Sequence, residues 1–189
     1  MKGEPLPVSI PAFATADPRV DETEVTEQQV SEHRVPDSHP RYISIPSLGV
    51  VNTRVFAGGV DDNNILESPM NISDASWYDK SATPGSGGAV LINAHNGGIT
   101  RNGVFSQLGT LQKSDVIEVE RGDGKKFRYE VRENESMALD EVNTTGMKTM
   151  MESVEPGEEA LNLITCDGRW VPRYQQFDRR IMLRAVLVE

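Results

Sequence analysis

The sequence holds one cysteine, Cys166, in 189 residues, so neither an intramolecular disulfide nor a cysteine-rich metal site can form. A lone cysteine is either an inert core residue or a working thiol, and the buried filler is the commoner case. Basic residues are scarce too: 19 Lys and Arg stand against 29 Asp and Glu, a formal net charge of −10, with no Lys/Arg cluster. That balance argues against binding to phosphate backbones and gives no support for an anionic lipid surface. No apolar run approaches the roughly 20 residues of a membrane helix. Ala12-Phe13-Ala14-Thr15-Ala16 has the small residues of a signal cleavage site, but Pro5, Pro7 and Pro11 break the segment before it. Two readings stay open: a soluble protein, or a chain numbered from beyond an anchor.

Residues 1–40 carry six of the eleven prolines, eight acids against three basic residues, and one aromatic, Phe13. Such a segment buries too little apolar surface to offset its chain entropy and is expected to be a disordered tail or spacer, with one domain over residues 41–189. In that domain, short β-branched and aromatic runs alternate with turn signals. Strands are expected at residues 42–45, 50–56, 89–94, 116–120, 126–133, 160–165 and 181–188, with Asp123-Gly124 as a hairpin turn. Residues 102–111 and 144–151 have the spacing of short helices, Thr144 being the expected N-cap of the second. The pattern predicts an all-β barrel or sandwich with one or two short helices.

Of the three histidines, His33 and His39 fall in the expected tail, leaving His95 and Cys166 as the domain's imidazole and thiol. Each stands at the C-terminal end of an expected strand, where a side chain is fixed at its root and exposed at its tip. Imidazole is the usual partner that favours thiolate, so the pair is a candidate for nucleophilic catalysis.

Leu163-Ile164-Thr165-Cys166, followed by Arg180-Ile181-Met182-Leu183-Arg184-Ala185, resembles the sortase family, whose signature is a strand ending in Thr-Cys and an arginine opening the last strand. Ala89-Val90-Leu91-Ile92-Asn93-Ala94-His95 is similar to the family's histidine strand, with Ala94 in place of glycine. Asp74-Ala75-Ser76-Trp77-Tyr78, then Pro84-Gly85 and Gly88, resembles the segment before that strand and leans towards the class D to F group. The resemblance implies an eight-stranded β-barrel in which His95, Cys166 and an arginine converge on a groove. Alignment through Ala185 favours Arg180; distance from the cysteine would favour Arg179; Arg180 is preferred.

The resemblance further implies a cysteine transpeptidase. It would cleave a Leu-Pro-x-Thr-Gly-type sorting signal through a Cys166 thioester and pass the protein to a cell-wall or pilin amine. Thr165 and Trp170 are candidate substrate-binding residues, Trp170 being equally able to fill the core. The connection over residues 134–159, with Met137, Leu139, Met147, Met150 and Met151, is expected to shape substrate choice or to pack on the barrel. No metal or cofactor is implied. The expected place is the cell surface, with the tail as spacer to a membrane anchor or as a lid. Two rivals stay open: a non-catalytic sortase-like binding module and an L,D-transpeptidase of peptidoglycan.

Overall fold

Period-two alternation builds the molecule. The computed structural model describes residues 20–189. Its strands are β1 (Pro40–Ile45), β2 (Val50–Gly58), β3 (Ala75–Tyr78), β4 (Ala89–Ala94), β5 (Val116–Arg121), β6 (Lys126–Ala138), β7 (Ala160–Val171) and β8 (Gln176–Leu187). They close a barrel in the order β1-β2-β3-β4-β7-β8-β6-β5, with β5 returning to β1. Closure leaves no row of unpaired backbone groups. Two of the pairings are parallel, β2 with β3 and β4 with β7, and the rest are antiparallel. Gly124, at φ 83°, turns β5 into β6 as the Asp-Gly pair predicts.

Successive strand residues point to opposite faces. On one face, Val90 and Ile92 of β4, Leu161 and Leu163 of β7, and Leu183 and Ala185 of β8 fill the barrel with Ile43, Phe105 and Tyr129. On the other, Leu91, Ile164 and Met182 form a second apolar cluster with Val142 and Met150 from the connection between β6 and β7. Both faces of this wall are therefore covered, which is why all six residues of β4 are buried. Burial of each large apolar side chain contributes about 1.5–3 kcal/mol.

Several expected elements differ in detail. Residues 102–111 form turns and one 3-10 turn, Leu108–Thr110, rather than a helix. The helical segment after β6 begins earlier than expected, with a helical turn at Leu139–Glu141, a π turn at Val142–Gly146 and a further turn of α-helix at Met147–Met150. Thr144 lies inside it, and its hydroxyl donates back to the Asp140 and Glu141 carbonyls instead of capping the N-terminus. Met150 is fully buried and Met137 and Met147 pack beside it, while Met151 is 38% exposed.

The segment over residues 20–39, assigned by composition to a tail, packs on the barrel; the rest of that expected tail, residues 1–19, lies outside the described residues. Its helix (Glu27–Glu32) starts with a capping box between Thr26 and Gln29. His33 is buried, with Nε2 2.9 Å from the Val55 carbonyl and its ring 4.6 Å from that of Phe56. Burial holds its pKa below the usual imidazole range. The Tyr42 hydroxyl donates to the Val30 carbonyl, and Arg41 Nε to the His33 carbonyl at 2.9 Å. These are single anchoring contacts, invisible to a count of prolines and acids.

One buried carboxylate organises the turn before β4. Glu159, 7% exposed, accepts from the Tyr129 hydroxyl at 2.6 Å and from the Gly85 and Gly87 amides at 2.9 and 2.8 Å. Glu159→Ala orphans the buried Tyr129 hydroxyl, at a cost of about 1–3 kcal/mol, and leaves the amides of exposed Gly85 and Gly87 to water. Equilibrium urea unfolding is expected to show a loss of about 1–3 kcal/mol; no measurable change would mean that water replaces the carboxylate freely.

Candidate active site

The parallel pairing of β4 with β7 fixes where His95 and Cys166 emerge. Asn93 registers with Ile164, so His95, just past the end of β4, and Cys166, inside β7, each two residues further on, stand at the same level. The backbones of such strands lie roughly 5 Å apart. The Thr165 hydroxyl, buried, clamps the two strand ends by donating to the Ala94 carbonyl at 2.8 Å. Thr165 thus supports the thiol from the barrel side.

The antiparallel pairing of β7 with β8 adds the arginine. Cys166 registers with Arg180, and Asp167 with Arg179. Directly paired residues share a face, so it is Arg180 that stands on the thiol's face. Its Nη1 donates to the Phe177 and Arg179 carbonyls, each at 2.8 Å. Arg179 is engaged elsewhere: Nε and Nη2 donate to the Ser136 hydroxyl and carbonyl at 2.7 and 2.6 Å, and that hydroxyl donates to Asp167.

Cys166 and Arg180 therefore stand on the adjacent strands β7 and β8, with His95 one residue past the end of β4. The apolar floor of Leu91, Ile164 and Met182 continues from them along the same face, roofed by Val142 and Met150. Met137 and Met147 pack at its edge, as does Leu66 from the loop between β2 and β3. Asn162, buried on this face, donates through its amide to the Met150 and Glu152 carbonyls at 2.8 and 3.0 Å, tying the roof to β7.

Burial pushes the Cys166 thiol above the usual cysteine range; the Arg180 charge opposes this, and Asp167 adds to it. His95 Nε2 lies 2.7 Å from the Pro69 carbonyl, in the loop between β2 and β3. A cleft of about 400 Å³ opens at the barrel mouth beside Cys166, lined also by Thr165, Asp167, Phe105, Gln107 and Phe177. Trp170 does not line it; its ring packs edge-on against Phe177 at 5.5 Å and supports that wall from behind. Among the described residues, no three His, Cys, Asp or Glu side chains gather as a metal site.

Sequence reasoning passed over Pro69, Phe177 and the anchoring role of Asn162. Asn162 did leave a signal, a polar residue at the centre of the apolar run Ala160-Leu161-Asn162-Leu163-Ile164. Pro69 left none, because its part is played by a backbone carbonyl.

The barrel is similar to solved sortases. Sortase C-1 from Actinomyces oris matches with a TM-score of 0.58 and 21% identity, over 86% of this chain and 80% of that one. A lid mutant of sortase A from Corynebacterium diphtheriae gives a TM-score of 0.58 and 22% identity, over 86% and 76%. A sortase D5 transpeptidase from Clostridium perfringens gives 0.56 and 20%, over 87% and 90%. No curated protein sequence matches the chain. The model of the sortase domain matches residues 43–188, from within the first barrel strand to just past the last. The chain belongs to the sortase family.

Proposed function

We propose that the protein is a cysteine transpeptidase acting on a Leu-Pro-x-Thr-Gly-type sorting signal. The observation that supports this best is the register that pairs Cys166 with Arg180 and sets it beside the strand delivering His95, at an open cleft. A peptide seated in the cleft beside Cys166 would lay its apolar side chains against Phe105 and Phe177, with its scissile carbonyl over the sulfur.

The working form is the minor state with Cys166 as thiolate and His95 as imidazolium. The thiolate adds to the carbonyl carbon of the threonine-like residue. Arg180 turns from the Phe177 and Arg179 carbonyls to donate to substrate oxygen, where preorganised donors contribute most. His95 gives its proton to the departing amine as the C–N bond breaks, leaving a thioester and a neutral imidazole. An incoming cell-wall or pilin amine then adds to the thioester carbon, His95 takes its proton, and the thiolate leaves. Splitting one amide exchange into two steps is the logic of covalent catalysis.

Such an enzyme works at the cell surface. Among the described residues no helix is long and apolar enough to cross a membrane, so an anchor would lie outside them. The test is intact mass after brief incubation with a panel of Leu-Pro-x-Thr-Gly peptides and no amine. An acyl adduct mapping to the fragment that carries Cys166 is expected. Peptide binding with neither adduct nor cleavage would instead favour the binding-module reading.

A further inference from the structure

Two loops meet at His95. One, over residues 59–74, presents the Pro69 carbonyl to its imidazole. The other leaves β4 at His95 and makes a tight excursion in which Gly97 bridges Asn102. It returns so closely that the Gly103 and Phe105 amides donate to the Asn96 and His95 carbonyls, each at 3.0 Å. At Gly103 a β-carbon would lie 2.1 Å from the His95 carbonyl oxygen, so this return admits no side chain.

Residues 21–23 bond to both loops. The Asp21 amide donates to the Met70 carbonyl, and the Asp21 carbonyl accepts from the Ile72 amide, each at 2.9 Å. The Asn71 side chain donates to the Asp21 carboxylate at 3.2 Å and to the Thr23 carbonyl at 3.1 Å. Glu22 reaches the other loop, its carboxylate accepting from the Ile99 and Thr100 amides and the Thr100 hydroxyl. Arg101 closes the circle, donating to the Thr23 carbonyl at 3.1 Å and to the Ser73 hydroxyl at 2.8 Å. Met70 adjoins Pro69, and Ile99, Thr100 and Arg101 lie within six residues of His95 in sequence, so the bonds act on the two loop stretches that meet at the imidazole.

We propose that residues 21–23 form a positioning strap that locks these two loops together and so fixes the His95 imidazole. This rests on the reading of His95 as the acid–base group. The strap touches no substrate; Glu22 is its cross-link and acts through the loop that carries His95. It gives a segment ahead of the barrel a part in proton transfer, where misplacement by about 1 Å can cost up to about 100-fold.

The experiment is Glu22→Ala in the full chain, beside Glu22→Gln, which keeps an acceptor oxygen, and Arg101→Met, which cuts the circle at another point. Glu22→Ala is expected to lower kcat about tenfold with KM for the peptide within about twofold. The His95 limb of the pH–rate profile shifts, and Glu22→Gln recovers most of the loss. The His95 ring signals, identified by their disappearance in His95→Ala, are expected to move or broaden in both Glu22→Ala and Arg101→Met. Unchanged ring signals with unchanged kcat would overturn the strap. Full activity in His95→Ala would instead overturn the acid–base reading, and the ring signals would still report on the strap without any turnover.

Discussion

Cys166→Ala is expected to lower peptide cleavage by roughly 10⁴–10⁶-fold, the scale seen when a covalent nucleophile is removed. Peptide affinity should stay within a few-fold, since the cleft walls at Phe105 and Phe177 are untouched. Quenched-flow cleavage with equilibrium peptide binding separates the two quantities. Comparable loss of both would mean that the sulfur's role is packing. The titration of the thiol makes a second check on the same residue. Burial disfavours the thiolate, so alkylation by iodoacetamide should be slow near neutral pH and rise as pH passes through a pKa above the ordinary thiol range. Fast alkylation that is already level at pH 7 would contradict a protonated resting thiol.

Arg180→Ala is expected to lower kcat/KM by about 10²–10³-fold, the loss typical of one preorganised oxyanion donor. Arg179→Ala should cost no more than a few-fold, because its guanidinium serves Ser136 and stands opposite Asp167. The Arg180 charge also lowers the thiol pKa, so Arg180→Ala should move the alkylation profile to higher pH. Arg180→Lys restores a charge without the planar fork, and should recover the titration more fully than the rate. Steady-state kinetics on the three variants decides the matter: equal losses at Arg179 and Arg180, or a larger loss at Arg179, would transfer the role to the cluster at Ser136 and Asp167.

The barrel was legible because its strands alternate or run fully apolar, and because Asp123-Gly124 marks a turn by local chemistry. The placement of His95 just past a strand end was also readable, whereas Cys166, expected to close its strand, lies inside β7, which runs on to Val171. Which arginine faces the thiol was not, since adjacent side chains diverge and only cross-strand register shows that Cys166 opposes Arg180. Residues 20–39 were misjudged because composition averages over a segment, whereas docking depends on particular groups such as the His33 ring and the Val30 carbonyl. The methionines show the reverse problem: their chemistry suited either a pocket or packing, and Met150, fully buried, packs. Trp170 could not be placed until β7 and β8 were seen to extend as a long hairpin that pairs it with Phe177.

The raised thiol pKa also bears on how long such a molecule lasts. Peroxide and disulfide reagents attack the thiolate, and a sulfur that passes beyond sulfenic acid to sulfinic or sulfonic acid is for practical purposes not recovered. With no second cysteine in the chain, no neighbouring thiol can trap the first oxidation product as an internal disulfide. On the proposed mechanism, seating Cys166 where its proton is held would keep the idle protein chemically quiet, and confine its reactive state to the moments when His95 has taken that proton. The same burial that slows each attack by the sulfur lengthens the time over which it stays able to make one.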